Sequence, residues 1–166
     1  PSVAQSLVDY TGCHRTNLTG TIAIFDAASK AGTAKGKPVP VVYASSCAVY
    51  GTLETLPLTE DMPTFPISSY GVDKLCGELH GCMAADAYDL KSVGLRFFNV
   101  YGVGQRPTSP YSGVLSIFCS QLGGKTQPTI YGDGKQTRDF IYVDDVVDCI
   151  KMAMAQAILL SPAVLN

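Results

Sequence analysis

The chain of 166 residues is long enough to bury one sizeable core, and its 46% hydrophobic and 16% charged residues exclude a disordered protein. Twelve basic and fourteen acidic side chains give a net charge of −2, which excludes a strongly basic surface for nucleic acid or an anionic membrane. The longest apolar run, residues 152–160, is too short to span a membrane, and the first residues lack the pattern of a signal peptide.

Hydrophobic periodicity and turn residues predict helices and strands in alternation. In the first half we predict a helix over Val3–Lys30 stopped by Gly32, a turn at 36–38, a strand over Val39–Ala44, a loop over Ser45–Pro66, and a helix over Ser68–Leu90 capped by Ser68 or Ser69. In the second half we predict a strand over Ser92–Phe98, a loop over Tyr101–Tyr111, a helix over Ser112–Leu122 ended by Gly123 and Gly124, short strands at Pro128–Tyr131 and Asp139–Tyr142 around a turn at 132–134, and a helix over Val143–Ala157.

The two longer strands are continuous apolar runs, which is typical of strands covered on both faces. Helices that alternate with such strands predict an α/β fold with a parallel sheet. No stretch of the chain has the composition of a linker, so the sequence predicts no internal domain boundary.

The cysteines and histidines do not suggest a metal site. None of the six cysteines forms a Cys-x-x-Cys pair, and both histidines are far from any cysteine doublet. We therefore expect no metal, and we interpret the cysteines as buried, reduced thiols of a cytoplasmic protein. The chain does not begin with methionine, so we expect it to be processed, cut or sequenced in part.

Tyr70 and Lys74 are four residues apart near the start of a predicted helix, so their side chains share one face. A neighbouring ammonium favours the phenolate, which can act as a general base. The alternative is a core tyrosine with a surface lysine. A second pair with the same spacing, Tyr131 and Lys135, spans a turn, so its side chains need not share a face.

Helical phase assigns the faces of the helix that carries Tyr70. The apolar face, expected to pack in the core, consists of Val72, Leu75, Leu79 and Cys82. Gly77 and Gly81 lie on the face of Tyr70 and Lys74, where small residues allow close packing.

Polar residues follow both predicted buried strands. Ser45 and Ser46 come after the first strand and Asn99 after the second, and ligands of open parallel sheets bind beyond the carboxyl ends of the strands. The serines can instead satisfy loop backbone, and Asn99 can form an Asx turn. Arg138 is suited to bind a phosphate with two hydrogen bonds, or to pair with a nearby aspartate.

The 166 residues contain neither the glycine-rich loop that binds dinucleotide phosphates nor a Gly-x-Ser-x-Gly motif. Five segments in a fixed order nevertheless resemble the extended short-chain dehydrogenase/reductases, and within them the nucleotide-sugar epimerases. These segments are NLTGT (17–21), ASSCAVYG (44–51), SYGVDK (69–74), LRFFNVYG (95–102), and GDG (132–134) followed by TRDFIYVDD (137–145).

The resemblance implies NAD-dependent epimerisation of a nucleotide sugar, a UDP-hexose, at its fourth carbon. It implies that Tyr70 is the base, that Lys74 holds the nicotinamide ribose and tunes Tyr70, and that Ser46 binds the reacting hydroxyl. The implied cofactor contacts are Asn17, Ser45, Tyr70, Lys74 and Phe98. The implied substrate contacts are Ser46, Asn99, Tyr111, Ser112, Gly113, Val114 and Arg138.

The resemblance also implies a partial doubly wound, Rossmann-like sheet that lacks the N-terminal βαβ unit and the C-terminal part. Residues 1–110 would be mostly the C-terminal half of the NAD-binding domain, and residues 111–166 the start of the nucleotide-sugar-binding region. Such a piece would be inactive alone, and the full subunit would form a homodimer through the helices at 17–30 and 70–88.

Two other kinds of function remain open. The first is another nucleotide-sugar enzyme of the family, a reductase, decarboxylase or dehydratase, although the dehydratases usually carry Asp-Glu where this chain has Cys47 and Ala48. The second is a non-catalytic nucleotide-binding or scaffold protein.

Overall fold

The structure, a computed structural model, describes residues 2–109 and 113–166. Contacts divide the chain into two compact units, one made of the residues up to Phe97 together with Cys149–Asn166, the other of Phe98–Asp148. The assignment of 1–110 to the cofactor half and 111–166 to the substrate half stays a prediction, because the units are defined by contacts and not by what they bind.

The first unit opens with helical segments. They are α1 (Val3–Val8), α2 (Tyr10–His14), a π-helical turn (Arg15–Thr19) and α3 (Gly20–Lys35). The predicted single helix is wrong in two respects. It breaks at Asp9, because the Asp9 carboxylate accepts a hydrogen bond from the Gly12 N–H and starts a new helix. It continues through Gly32 and ends at Gly36, whose φ of 63° suits a glycine.

A three-stranded parallel sheet forms the centre of this unit. Its strands are β1 (Val41–Ser46), β2 (Ser92–Phe97) and β5 (Ala163–Leu165), in the order β1-β2-β5. Val41 pairs with Ser92 and Ser46 with Phe97, so β1 and β2 end side by side. The predicted α/β class with a parallel sheet is confirmed, whereas β5 was not predicted from the sequence.

Helices cover both faces of this sheet. On one face Phe25 of α3 and Ala84 of α4 (Ser69–Tyr88) form a core with Leu90, and the Phe25 and Tyr43 rings meet edge to face at 5.2 Å. On the other face α6 (Val143–Leu160) packs against β2 through Ala153 and Ala157. Side chains of β1 and β2 alternate between the two faces and so contribute to the core on each face, as expected of strands that helices cover on both faces.

The predicted apolar face of α4 is wrong. Val72 is 45% and Leu79 61% exposed, and Cys82 is also exposed. The buried side consists of Gly71, Asp73, Gly77, Glu78, Gly81 and Ala84. A methyl group on Gly81 would lie 3.1 Å from the Tyr43 hydroxyl oxygen, so α4 lies too close to the sheet for large side chains. The expected close packing is confirmed at Gly81, whereas a methyl group on Gly77 would make only an ordinary contact, 3.7 Å from Thr21 Cγ2.

The second unit contains a two-stranded parallel ladder, β3 (Asn99–Tyr101) with β4 (Phe140–Tyr142), and the helix α5 (Val114–Gly123). The predicted strand at Pro128–Tyr131 is wrong, since residues 126–131 form no regular structure. Within residues 2–109 and 113–166 no helix combines the length and the apolar content needed to cross a bilayer.

Two glycines with positive φ, Gly36 before β1 and Gly51 after it, test how closely the backbone packs around each of them. Alanine at Gly36 (φ 63°) has nothing within 4 Å to meet, so it should cost only backbone strain, about 1–2 kcal/mol. Alanine at Gly51 (φ 68°) carries the same strain, and its methyl group would also overlap the Phe65 carbonyl oxygen. We expect Gly51→Ala to lower the urea midpoint clearly more than Gly36→Ala. Equal decreases of the urea midpoint in the two variants would contradict the close approach of Gly51 to the Phe65 carbonyl oxygen.

Candidate active site

Ser46 lies at the carboxyl end of β1, inside the strand and not in the loop that the sequence predicted from Ser45 onward. Its hydroxyl accepts a hydrogen bond from the Ala48 N–H at 3.2 Å, within the short 3₁₀ turn Cys47–Val49 that follows the strand. The same hydroxyl lies near enough to Tyr70 to lower the pKa of its phenol as a hydrogen-bond donor. The turn therefore holds Ser46 against the first turn of α4.

Tyr70 and Lys74 project from the first two turns of α4. Ser68, one of the two predicted caps, is the N-cap, and its hydroxyl accepts a hydrogen bond from the Gly71 N–H at 3.1 Å. The Lys74 ammonium lies 5.6 Å from the centre of the Tyr70 ring and donates to the Ala44 carbonyl oxygen at 2.8 Å. The structure thus brings together Ser46, Tyr70 and Lys74, the three residues that the sequence nominated for catalysis.

Burial shifts the pKa values of Tyr70 and Lys74. Burial raises the pKa of Tyr70, and the hydrogen bond from Ser46 partly opposes that shift because it stabilises the phenolate. Burial lowers the pKa of Lys74, and the negative charge of Asp73 partly opposes that shift. The protein therefore provides a phenol that holds its proton strongly, with the Lys74 ammonium 5.6 Å from the centre of its ring.

Asn17 lies in the π-helical turn and is 7% exposed. Its amide nitrogen Nδ2 has no hydrogen-bond partner among the described residues. NAD, the cofactor that the resemblance implies, fits this environment, since Asn17 Nδ2 and the remaining N–H groups of Lys74 are donors suited to a ribose or an amide. These two residues would hold the nicotinamide end.

A pair that the sequence reasoning missed connects α2 to α4. His14 Nδ1 lies 2.9 Å from Asp73 Oδ1, and Asp73 is only 5% exposed. Asp73 Oδ2 has no hydrogen-bond partner among the described residues. The pair therefore ties the segment that carries Asn17 to the helix that carries Lys74.

Ser45 does not join the cluster through its side chain. It is 2% exposed, and its hydroxyl donates to the carboxylate of Glu78, on the opposite face of β1 from Ser46. Its cofactor contact stays a prediction, and the hydroxyl is already engaged. Glu78 and its partner Arg96 were not nominated from the sequence, although a charged residue within an apolar strand such as 92–97 is a signal that could have found them.

The other nominated residues belong to the second unit. Asn99 pairs with Phe140 in the β3–β4 ladder, and its Nδ2 donates at 2.8 Å to the carbonyl oxygen of Asp139, the residue that follows Arg138 in the chain. Arg138 is exposed. Gly113 and Val114 form the N-terminus of α5, and Phe98 precedes β3. Tyr111 and Ser112 lie outside the described residues.

The remaining sequence predictions concern cysteines, metals and the second Tyr-x-x-x-Lys pair. Cys13 is buried as expected, but Cys82 and Cys119 are exposed, so not all thiols lie in the core. In the described part of the chain no group of three His, Cys, Asp or Glu side chains could hold a metal ion. Tyr131 is 83% exposed in a stretch without regular structure.

Comparisons with known proteins all give matches to the same family. Residues 1–165 match the NAD dependent epimerase/dehydratase family. The UDP-glucose 4-epimerase of Mycolicibacterium smegmatis is 39% identical over 153 residues, which cover 92% of this chain and 47% of that protein. The structure of the UDP-N-acetylglucosamine 4-epimerase from Methanobrevibacter ruminantium, in complex with UDP-N-acetylmuramic acid, matches with a TM-score of 0.88 at 33% identity, over 99% of this chain and 51% of that one.

A dTDP-glucose 4,6-dehydratase from Streptomyces venezuelae, solved with NAD bound, matches with a TM-score of 0.84 at 26% identity, over 99% of this chain and 48% of that one. The chain thus spans about half the length of the relatives that it matches, and its parallel sheet is similar to that of Rossmann-fold epimerases. The resemblance seen in the five sequence segments is confirmed: the chain belongs to the NAD-dependent epimerase/dehydratase family.

Proposed function

We propose that a full-length protein containing these residues inverts the hydroxyl at the fourth carbon of a UDP-hexose, through a keto sugar. The observation that carries the proposal is the convergence of Ser46, Tyr70 and Lys74 at the carboxyl end of β1. The substrate class is supported by relatives named UDP-glucose 4-epimerase and by a Thermotoga maritima enzyme of that name solved with UDP-glucose.

Each residue of the cluster has one task in this mechanism. When the sugar is bound, the single Ser46 hydroxyl proton turns from Tyr70 to the sugar oxygen, Tyr70 takes the sugar's hydroxyl proton and later returns it, and the charge of Lys74 favours the Tyr70 phenolate. Bound NAD would supply the acceptor for the sugar's hydride and the donor that returns it. In the second unit, Asn99 and Arg138 are proposed to hold the diphosphate, with Gly113 and Val114 beside the nucleotide, since Arg138 is exposed and has donors in a fork suited to phosphate.

The elimination of water is the less favoured alternative. Cys47 and Ala48 occupy the 3₁₀ turn directly after Ser46, where an eliminating enzyme of the family usually has an acid pair. An alanine side chain cannot transfer a proton, and the Ala48 N–H is already bonded to the Ser46 hydroxyl. The short turn therefore supports epimerisation over dehydration.

We further propose that the full-length protein forms a homodimer through α3 and α4. Both helices carry exposed apolar residues on their outer sides, including Ile24 (58%), Leu79 (61%) and Met83 (46%). An open groove of about 980 Å³ runs between these helices, and Ile22, Met83 and Ala87 contribute to its lining. A second copy could place the same helices against this surface by two-fold symmetry.

The first test removes the proposed base. In the full-length protein, Tyr70→Phe should lower the rate of UDP-glucose epimerisation by about 10²–10⁴-fold, because only the proton-transfer group is lost. NAD affinity should change little. Coupled turnover assays and calorimetric titration measure the two quantities.

Tyr131→Phe is the matched control, since Tyr131 has the same spacing to a lysine but is 83% exposed outside the cluster. It should retain the wild-type rate. A Tyr70→Phe enzyme as fast as the wild type would sink the assignment, and a full-length protein that binds UDP and NAD without turnover would favour the non-catalytic alternative.

The second test concerns pH. The hydrogen bond from Ser46 lowers the pKa of Tyr70, so Ser46→Ala should raise that pKa further. Phenolate absorbance of the cofactor-free protein should then show Tyr70 ionising at higher pH, and the rise of rate with pH should shift in the same direction. Tyr70→Phe identifies which absorbance change belongs to Tyr70. An unchanged titration would refute the Ser46–Tyr70 hydrogen bond.

The third test concerns assembly. The wild-type full-length protein should sediment as a dimer at micromolar concentration, and Met83→Glu should shift it towards monomer because a charge would be buried against the second copy. Val103→Glu, at a residue 93% exposed in the second unit, is the control and should leave the dimer intact. A monomeric wild-type protein would disprove the dimer.

A further inference from the structure

A charged pair lies in the interior of the first unit, behind the catalytic cluster. Glu78 of α4 is 4% and Arg96 of β2 is 7% exposed. Arg96 Nε donates to Glu78 Oε1 at 2.9 Å, and its Nη2 donates to Glu78 Oε2 at 2.8 Å, so the contact is bidentate. Burial lowers the pKa of Arg96, but the hydrogen bonds to Glu78 and Tyr50 outweigh burial and raise it above its ordinary value.

The pair extends in two directions. Glu78 Oε1 also accepts a hydrogen bond from the Ser45 hydroxyl of β1. On the other side, Arg96 Nη1 donates to the Tyr50 hydroxyl at 2.7 Å, and the fully buried Tyr50 lies with its hydroxyl 2.6 Å from Asn166 Oδ1 and 3.1 Å from the Thr59 carbonyl oxygen. One ion pair therefore joins α4, β1, β2 and the segment after β1.

Stability alone does not account for this arrangement. Buried ion pairs can often be replaced by apolar side chains without loss of stability, because desolvation offsets the attraction between the charges. The pair instead fixes the register between α4 and β2. Glu78 is anchored to Arg96 of β2 and is also bonded to Ser45 of β1.

The contacts that fix this register lie on the same side of α4 as the catalytic cluster. Tyr70, Lys74 and Glu78 follow one another at intervals of four residues and thus share one side of α4. Lys74 donates to the Ala44 carbonyl and Glu78 accepts from the Ser45 hydroxyl, so both hydrogen-bond the end of β1, and Tyr70 faces Ser46, which lowers its pKa. Since neighbouring side chains of a strand point to opposite faces, holding Ser45 on one face fixes where Ser46 stands on the other.

We propose that Glu78, held by Arg96, is a positioning residue of the reaction: through Ser45 it fixes the end of β1 so that the Ser46 hydroxyl meets Tyr70. This inference rests on the proposed function for its kinetic consequence, but not for its structural one. A small displacement of Ser46 would misalign the reacting hydroxyl and the base, and misplacement by about 1 Å can cost about 10²-fold in rate.

Ser45→Ala in the full-length protein is the decisive variant, because it cuts the link between Glu78 and β1 while leaving the ion pair in place. We expect kcat for UDP-glucose to fall about 10- to 100-fold, with little change in NAD affinity. We also expect the Tyr70 ionisation of the cofactor-free protein to move to higher pH, as in Ser46→Ala, since the hydrogen bond from Ser46 weakens.

Ser92→Ala is the matched control. Ser92 is also 2% exposed, but it starts β2 and pairs with Val41 at the opposite end of the sheet. Its urea midpoint gives the cost of removing a buried serine hydroxyl elsewhere in the sheet, and it should keep the wild-type kcat and Tyr70 titration.

The outcomes separate this proposal from the proposed function. If Ser45→Ala has the same kcat and Tyr70 titration as Ser92→Ala, Glu78 only stabilises the fold and the proposal is overturned. If the wild-type protein does not epimerise UDP-glucose, the proposed function fails. The Tyr70 titration of Ser45→Ala then still decides whether Glu78 positions Ser46.

Discussion

The buried contact between Glu78 and Arg96 is the constraint on which the rest of the first unit depends. Removing one partner of such a pair leaves a charge without compensation in the interior, which typically costs about 3–5 kcal/mol. The helix that carries Glu78 and the strand that carries Arg96 can therefore meet in one register only. Ser45 and Tyr50 connect the same pair to β1 and to the segment after it, so the pair also fixes the position of the carboxyl end of β1.

The close approach of α4 to the sheet follows from the same contacts. Lys74 donates to the Ala44 carbonyl and Glu78 accepts from the Ser45 hydroxyl, so the helix backbone must lie near the strand, and Gly81 makes room for it. The larger apolar side chains of α4 are consequently turned outward, as the exposure of Leu79 shows. The close packing of α4 on the sheet therefore fixes the positions of the site residues. It also leaves an apolar outer surface on α4, which the proposed dimer would use.

Much of the fold was predictable because it rests on local chemistry. The apolar runs at Val41–Ser46 and Ser92–Phe97 indicated strands covered on both faces, and the Ser68 cap indicated where α4 begins. The failures have local causes as well. Asp9 broke a helix by capping a new one, residues 128–131 found no strand to pair with, and the three-residue β5 was too short to give a periodic signal.

By itself the sequence determined the α/β class, the parallel sheet and the shared face of Tyr70 and Lys74, because these depend on periodicities of two and of about 3.6 residues. Its motifs also determined the family. Only the tertiary structure decided that Ser46 meets Tyr70, that Ser45 faces inward to Glu78, and that the glycine side of α4 is the buried one. Those outcomes depend on contacts between residues that are 18 to 33 positions apart, such as Glu78 with Arg96 and Ser45 with Glu78, and the distance between a helix and a strand is set by all such contacts together.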